Sequence, residues 1–132
     1  MNLKFKKKCY CFNLSSKVEN SKTTYLTKLG WIIQLTSNDK KIGFGEVSPL
    51  HKEDLKKCAK QLDMIPEYVE EFNLSEQINI FHPCIQSAIN SALAEINRKI
   101  IFKGNYTFDE IDKTAILLNS ENLISEINEI NI

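Results

Sequence analysis

The segment Gly43-Phe44-Gly45-Glu46-Val47-Ser48-Pro49-Leu50 alternates glycine with larger side chains and then reaches a proline. Alternation with a period of two is typical of a β-strand, and it predicts a strand over Ile42–Val47. Glycine weakens a strand because it has no side chain to pack. Gly43 and Gly45 therefore indicate a bulge, or a place where another backbone comes close to the strand.

A second apolar run precedes this strand. Residues 25–36 place Trp31, Ile33 and Leu35 on one face and Ile32 on the other. The turn-forming residues Ser37-Asn38-Asp39-Lys40 follow, so the two runs are predicted to form an antiparallel hairpin.

The N-terminus predicts a further strand over residues 3–14. Its two faces carry different residues: Leu3, Phe5, Cys9 and Cys11 on one, and Lys4, Lys6, Lys8, Tyr10 and Phe12 on the other. The polar stretch at residues 15–24 is predicted to be a mobile loop, because it is too hydrophilic to enter a core.

The period changes to that of a helix after His51. One stripe consists of Leu55, Cys58, Ala59 and Leu62. A short second helix is predicted to begin at Pro66, with Tyr68, Val69 and Phe72 facing inward. The clearest helix begins at Pro83 and buries Ile85, Ala88, Ile89, Ala92, Leu93 and Ile96. Its small residues, Ala88 and Ala92, would let another element approach closely.

The C-terminal part predicts a turn at residues 108–111, a buried strand at residues 116–118 and a helix capped by Ser120. The fold class is therefore α+β: a three-stranded antiparallel β-meander followed by a helical bundle.

Composition excludes several classes of protein. The chain has 132 residues, of which 42% are hydrophobic and 26% charged, and its formal net charge is zero. This composition is that of a globular domain and generates no field that would gather nucleic acid. No signal peptide and no membrane-spanning stretch is predicted, so a cytoplasmic location is expected. The cysteines, at positions 9, 11, 58 and 84, lack zinc-ligand spacing and are expected to be buried free thiols.

The run at residues 43–50 resembles the Gly-aromatic-Gly-Glu-x-x-Pro-Leu motif of capping domains in the enolase superfamily. The serine before Pro49-Leu50 is similar to the o-succinylbenzoate synthase branch, as is the proline-initiated helix at Pro83 with its paired alanines. The resemblance implies a capping domain over residues 1–104. It further implies that residues 105–132 contain a linker and the first strand and helix of a truncated β/α barrel. Two departures from the family pattern leave substrate specificity open: His51 replaces a proline, and Lys28-Leu29 precedes Gly30.

The resemblance implies that the full-length enzyme is a Mg²⁺-dependent lyase. Such an enzyme dehydrates a cyclohexadiene carboxylate to o-succinylbenzoate in menaquinone or phylloquinone biosynthesis. The family's catalytic lysines and metal carboxylates belong to barrel strands, and Lys6-Lys7-Lys8 lies instead on the first strand of the cap. No catalytic residue, metal ligand or bound cofactor is therefore assigned to this chain, and it is expected to be inactive alone.

A rigid turn is predicted at Ser48-Pro49-Leu50, next to the glycines of the strand and with its own proline. The resemblance assigns substrate contact to Ser48, Pro49 and Leu50. The expected partners are a catalytic barrel, in cis or in trans, and a small carboxylate substrate, with neither nucleic acid nor a membrane. Two alternatives stay open: the cap of a dipeptide epimerase or cycloisomerase, and a small nucleic-acid-binding module that uses Trp31, Phe44 and Tyr10.

Individual residues also have more than one interpretation. Glu46 could contact substrate or another domain, or it could cap a nearby backbone amide on the surface. His51 is interpreted as a helix-start residue, His82 as a neighbour of an N-cap, and Trp31 as part of the core. The lysines at positions 4, 6 and 8 are interpreted as a solvated strand face.

Overall fold

The computed structural model describes residues 1–19 and 23–100, which form a sheet covered by helices. In chain order the elements are β1 (Asn2–Glu19), β2 (Thr24–Ser37), β3 (Ile42–Val47), α1 (Lys52–Asp63), β4 (Tyr68–Glu70), α2 (Glu71–Gln77), a 3₁₀ turn (Ile78–Ile80) and α3 (Pro83–Ile96). The α+β class is therefore confirmed. The predicted turn, strand and helix of residues 108–132, and the division after residue 104, fall outside the described residues and stay predictions.

Within the described residues the sheet has four strands in the order β3-β2-β1-β4, so the prediction of three strands was one short there. The fourth strand pairs antiparallel with the start of β1, with Leu3 opposite Val69. The helix predicted from Pro66 was wrong there: α2 begins only at Glu71. Tyr68 and Phe72, predicted to face inward, are 65% and 66% exposed. The reason is that β1 offers unpaired backbone groups at this edge, and a β-branched valine beside tyrosine favours a strand.

The first two strands are longer than predicted. β1 continues through Glu19 and β2 begins at Thr24, so the predicted loop at residues 15–24 was wrong for residues 15–19 and for Thr24. Backbone pairing does not require apolar side chains, and a polar sequence can therefore extend a two-stranded ladder beyond the core.

The predicted hairpin of β2 and β3 is confirmed. Ile33 lies opposite Gly45 and Gln34 opposite Phe44 in an antiparallel register. At the turn, the Lys41 N–H donates to Ser37 Oγ over 3.1 Å. The side chains of Lys41 and, to a smaller extent, Ser37 donate hydrogen bonds to the Asp39 carboxylate. These bonds lower the pKa of the Asp39 carboxyl to about 2. The turn therefore keeps its charged carboxylate well into the acid range.

The inner face of the sheet packs against the helices to form one core. Trp31, Ile33 and Leu35 are buried as predicted, whereas Ile32 is 40% exposed on the outer face. All six predicted core positions of α3 are buried: Ile85, Ala88, Ile89, Ala92, Leu93 and Ile96. On α1, Cys58 and Leu62 are buried, and Leu55 and Ala59 pack against the core.

The cysteine prediction was only partly right. Cys58 is buried and Cys84 is half-buried, but Cys9 and Cys11 are exposed. Cys9 and Cys11 follow Phe5 along β1, in a part of the strand that the described helices do not cover. Alternation determines which side of a strand a residue occupies, but only the packed partner decides whether that side is buried.

A close backbone approach joins β3 to α3. A side chain at Gly43 would overlap the backbone of Ala92, whose carbonyl carbon would lie 2.7 Å from the added Cβ. Gly45 meets the backbone of Ala88 in the same way. The Phe44 N–H of this strand also donates to Glu95 Oε2 over 2.7 Å. The close backbone approach inferred from Gly43 and Gly45 is thus confirmed.

The two histidines begin helices. His51 is the N-cap residue of α1, as predicted. His82 is itself the N-cap of α3, rather than a neighbour of one, and its Nδ1 accepts the Cys84 N–H over 3.2 Å. None of the helices in residues 1–19 and 23–100 is long and apolar enough to cross a membrane.

Candidate functional site

The turn Ser48-Pro49-Leu50 connects β3 to α1 and is fixed at both ends. Val47 before it is buried in the core, and His51 after it starts α1. Within the turn, Pro49 is buried, Ser48 is half-buried and Leu50 is 48% exposed. The turn therefore places one apolar side chain and one hydroxyl near the surface on a short, anchored segment.

A lysine from the neighbouring strand holds the backbone of this turn. Lys28 Nζ donates to the carbonyl oxygens of Ser48 and Pro49, each over 3.2 Å. The ammonium group has three protons, so these two bonds leave donor capacity and its full positive charge. Lys28 therefore both fixes the turn and makes its surroundings electropositive.

Tyr10 of β1 holds the other side of the turn. Its hydroxyl donates to Glu46 Oε1 and lies 3.4 Å from Ser48 Oγ. The ring occupies the space over Gly30, where an added Cβ would lie 2.7 Å from Tyr10 Cζ. Gly30 is therefore required for Tyr10 to cross β2 and reach the end of β3.

The environment of Tyr10 keeps its hydroxyl protonated. Burial, and next the hydrogen bond to the Glu46 carboxylate, raise the pKa of the Tyr10 phenol above its usual value, and the Ser48 hydroxyl opposes them. A raised pKa means that the folded state favours the neutral phenol. The bond to Glu46 is thus present below the usual phenol pKa and is lost as the pH rises through the raised value.

Aromatic side chains flank the turn on both sides. The rings of Tyr10 and Phe12 stack with their centroids 5.8 Å apart. On the other side, the Tyr25 hydroxyl lies 3.1 Å from His51 Nδ1. Three residues of the β1–β2 hairpin, Tyr10, Tyr25 and Lys28, thus contact the segment from Glu46 to His51.

The side chains of this arrangement suit the binding of a small ligand. A lysine ammonium, a serine hydroxyl and an exposed leucine suit a ligand that has a carboxylate and an apolar body. In the part of the chain that the structure describes, no three His, Cys, Asp or Glu side chains are placed to hold a metal ion. The described residues therefore do not fit the Mg²⁺ site of the family, and no step through the metal is derived from them.

The sequence predicted the turn but missed the residues that hold it. Ser48, Pro49 and Leu50 form one turn, and their contact with substrate stays a prediction. Lys28 stands near Gly30, where the family often has an arginine, so a basic residue there was the available signal for this contact. Nothing in the sequence indicated that Tyr10 contacts this turn, because its partner Glu46 is distant along the chain.

The structure bears on the interpretations of two single residues. Glu46 accepts the Tyr10 hydroxyl, so its carboxylate links β3 to β1 across β2, and its predicted contacts with substrate, another domain or a backbone amide stay predictions. Trp31 is only 9% exposed, so it belongs to the core and is not a stacking surface.

The Tyr10 contact gives a testable prediction. Tyr10→Phe removes the hydroxyl and should lower the free energy of unfolding by about 1 kcal/mol, the usual net value of one hydrogen bond. It should also speed hydrogen exchange of the Ser48 amide, measured by NMR. Glu46→Gln keeps an acceptor oxygen and should have the smaller effect on both. Unchanged exchange in Tyr10→Phe would show that Lys28 alone holds the turn.

Comparisons with known proteins found little. No family model and no curated protein matches the chain. Among solved structures, the o-succinylbenzoate synthase of Thermosynechococcus elongatus BP-1, complexed with magnesium in its active site, matches with a TM-score of 0.43 and 15% identity. The match covers 55% of this chain and 23% of that chain.

Proposed function

We propose that this chain is the substrate-capping domain of a lyase of the o-succinylbenzoate synthase type. Its turn Ser48-Pro49-Leu50 contacts the substrate, and a catalytic β/α barrel, in cis or in trans, supplies the chemistry. The supporting observation is that the family-like run at residues 43–50 forms a strand and an anchored turn, held by Lys28 and Tyr10.

Rigidity supports a capping role. A turn that contacts a ligand loses conformational entropy on binding unless the fold has already ordered it. Here the Lys28 bonds fix two successive carbonyl groups of the turn, and Pro49 is buried. The turn is therefore ordered before a ligand arrives, and little of the binding free energy is spent on ordering it.

The chemistry of the turn fits a carboxylate with an apolar ring. The Lys28 ammonium attracts a carboxylate, and Leu50, which is 48% exposed, offers apolar contact area. The expected substrate, a cyclohexadiene carboxylate, has both features. Mg²⁺ and the catalytic base belong to the barrel in this proposal, and this chain excludes water and orients the distal part of the substrate.

The alternatives differ in what they require of this surface. A cap of a dipeptide epimerase or cycloisomerase would use the same turn with a different ligand, so only a substrate comparison separates them. A nucleic-acid-binding module would need exposed aromatic rings beside lysines. Burial of Trp31 removes one of the three rings on which that hypothesis depended.

The test supplies the missing barrel. The full chain is mixed with an o-succinylbenzoate synthase barrel that lacks its own cap, with Mg²⁺ and the cyclohexadiene carboxylate, and formation of o-succinylbenzoate is followed. We expect the chain to raise the rate about tenfold or more, because closing a site orients the substrate and excludes water. Association of the two proteins is measured separately by analytical ultracentrifugation.

Two variants make the test specific to the turn. Leu50→Asp should abolish the rate increase, whereas Ile80→Asp, which alters a residue that is 64% exposed on the 3₁₀ turn, should not. Rate increases with dipeptide or cycloisomerase substrates instead would favour the sibling enzymes. Association without any rate increase would contradict the proposed role of the turn, and no association would contradict a cap that acts in trans on this barrel.

A further inference from the structure

One face of α1 contacts the segment that starts α3. Asp54 Oδ1 lies 3.3 Å from His82 Nε2, and Gln61 Oε1 accepts the His82 backbone N–H over 2.7 Å. Asp54, Cys58 and Gln61 are spaced i, i+4, i+7, which places them on one side of the helix. Cys58 therefore lies between two residues that both contact His82, and it faces the same segment.

Cys84 is the second thiol at this junction. It follows His82 by two residues, and its backbone N–H donates to His82 Nδ1 over 3.2 Å. Its side chain packs against the core cluster that contains Cys58. Burial, and next the neighbouring Cys84, raise the pKa of the Cys58 thiol to about 11. Both cysteines therefore lie where α1 meets the first turn of α3.

We propose that Cys58 and Cys84 form a redox couple, closing reversibly to a disulfide that locks α1 onto α3. The Cα atoms of the two helices approach within 8 Å. A disulfide joins Cα atoms that are about 4.4–6.8 Å apart, so closure requires the Cα atoms of Cys58 and Cys84 to come within that distance at this junction. This inference is independent of the proposed function.

The two thiols have different roles in closure. Cys84 is half-buried and meets solvent, whereas Cys58 is 0% exposed. Cys84 is therefore the attacking thiol and Cys58 the resolving one. The raised pKa of Cys58 leaves little thiolate at neutral pH, and its fixed position beside Cys84 offsets this by making the second step intramolecular.

The reaction is a thiol–disulfide exchange with a low-molecular-weight disulfide such as oxidised glutathione. The Cys84 thiolate attacks one sulfur of that disulfide, forms a mixed disulfide and expels one glutathione thiolate. The Cys58 thiolate then attacks Cys84 Sγ and expels the second glutathione thiolate. The protein loses two electrons and two thiol protons, and one glutathione disulfide becomes two glutathione thiols.

The two cysteines, with His82 and Asp54 beside them, are also of the residue types that bind metal ions. In the described part of the chain, no three such side chains are arranged to hold a metal ion. Both ring nitrogens of His82 are already engaged, one by the Cys84 N–H and the other by Asp54. The thiols are therefore left for redox chemistry with each other.

The test equilibrates the full chain in mixtures of oxidised and reduced glutathione, then alkylates free thiols and maps tryptic peptides by mass spectrometry. We expect a disulfide that joins the peptide starting at Cys58 to the peptide containing Cys84. The oxidised chain should melt roughly 5–10 °C higher, because the bond closes a loop in the unfolded chain. Dithiothreitol should reverse both changes.

Variants separate this bond from other thiol chemistry. The double variant Cys9→Ser/Cys11→Ser, which alters only exposed cysteines, should keep the disulfide and the thermal shift. Cys58→Ala should leave Cys84 as a stable glutathione adduct, and if that variant does not fold, the double variant alone decides. Formation only of a glutathione adduct at Cys84 in the double variant, with no internal bond and no rise in Tm, would overturn the proposal.

Discussion

Gly45→Val is expected to lower the free energy of unfolding by about 3 kcal/mol or more, the upper range for overfilling a packed site. A Cβ at this position would lie 2.7 Å from the Ala88 Cα and would overlap the Ala88 carbonyl group. The obstacle is helix backbone, which cannot rotate away as a flexible side chain does. β3 and α3 would have to separate, and the core between them would lose its packing.

The matched control is Phe44→Val, on the next residue of the same strand. Phe44 is 50% exposed on the outer face, so the same β-branched residue meets no backbone there and should change stability little. Urea unfolding followed by circular dichroism measures both variants. Equal midpoints for the two would mean that β3 and α3 are not held in contact at Gly45.

Ile89→Ala should lower the free energy of unfolding by about 2–5 kcal/mol, the range for emptying a core site. Ile89 is 0% exposed and lies at the centre of the stripe by which α3 packs under the sheet. The substitution removes buried apolar area and leaves a cavity that two packed elements cannot collapse to fill. A domain of this size is stable by only roughly 5–15 kcal/mol, so the loss is a large part of the total.

Ile80→Ala is the control, because it makes the same substitution at an exposed position. The same side chain is shortened where it is 64% exposed, and the change should stay within about 0.5 kcal/mol. Thermal and urea unfolding of both variants test the pair. A loss in Ile89→Ala as small as that in Ile80→Ala would show that α3 does not pack as the core helix.

Periodicity predicted most of the core because it depends only on local geometry. The stripe of α3 repeats every three or four residues, and all six of its predicted positions are buried. The same reasoning assigned Trp31, Ile33 and Leu35 to the inner face of β2. Gly43 and Gly45 predicted a close approach for a similar reason: glycine fits in a strand where any larger side chain would collide with a neighbouring backbone.

The misplaced elements are those whose structure depends on a distant partner. Tyr68–Glu70 is a strand because the start of β1 lies beside it and needs backbone partners, a fact that local pattern does not contain. Residues 15–19 are a strand because β1 and β2 continue to pair beyond the core. Cys9 and Cys11 occupy the predicted side of β1, yet no helix within residues 1–19 and 23–100 buries them there.

The candidate site also combines features that follow from local sequence with features that depend on distant partners. The amino-acid sequence by itself determined the inner faces of the strands, the inward stripe of α3 and the position of the Ser48-Pro49-Leu50 turn, because each follows from spacing along a few residues. Only the tertiary structure decided that Lys28 and Tyr10 hold this turn and that Cys58 and Cys84 lie at the same junction of α1 and α3. Those contacts join residues far apart in the chain, and packing of the whole domain brings them together.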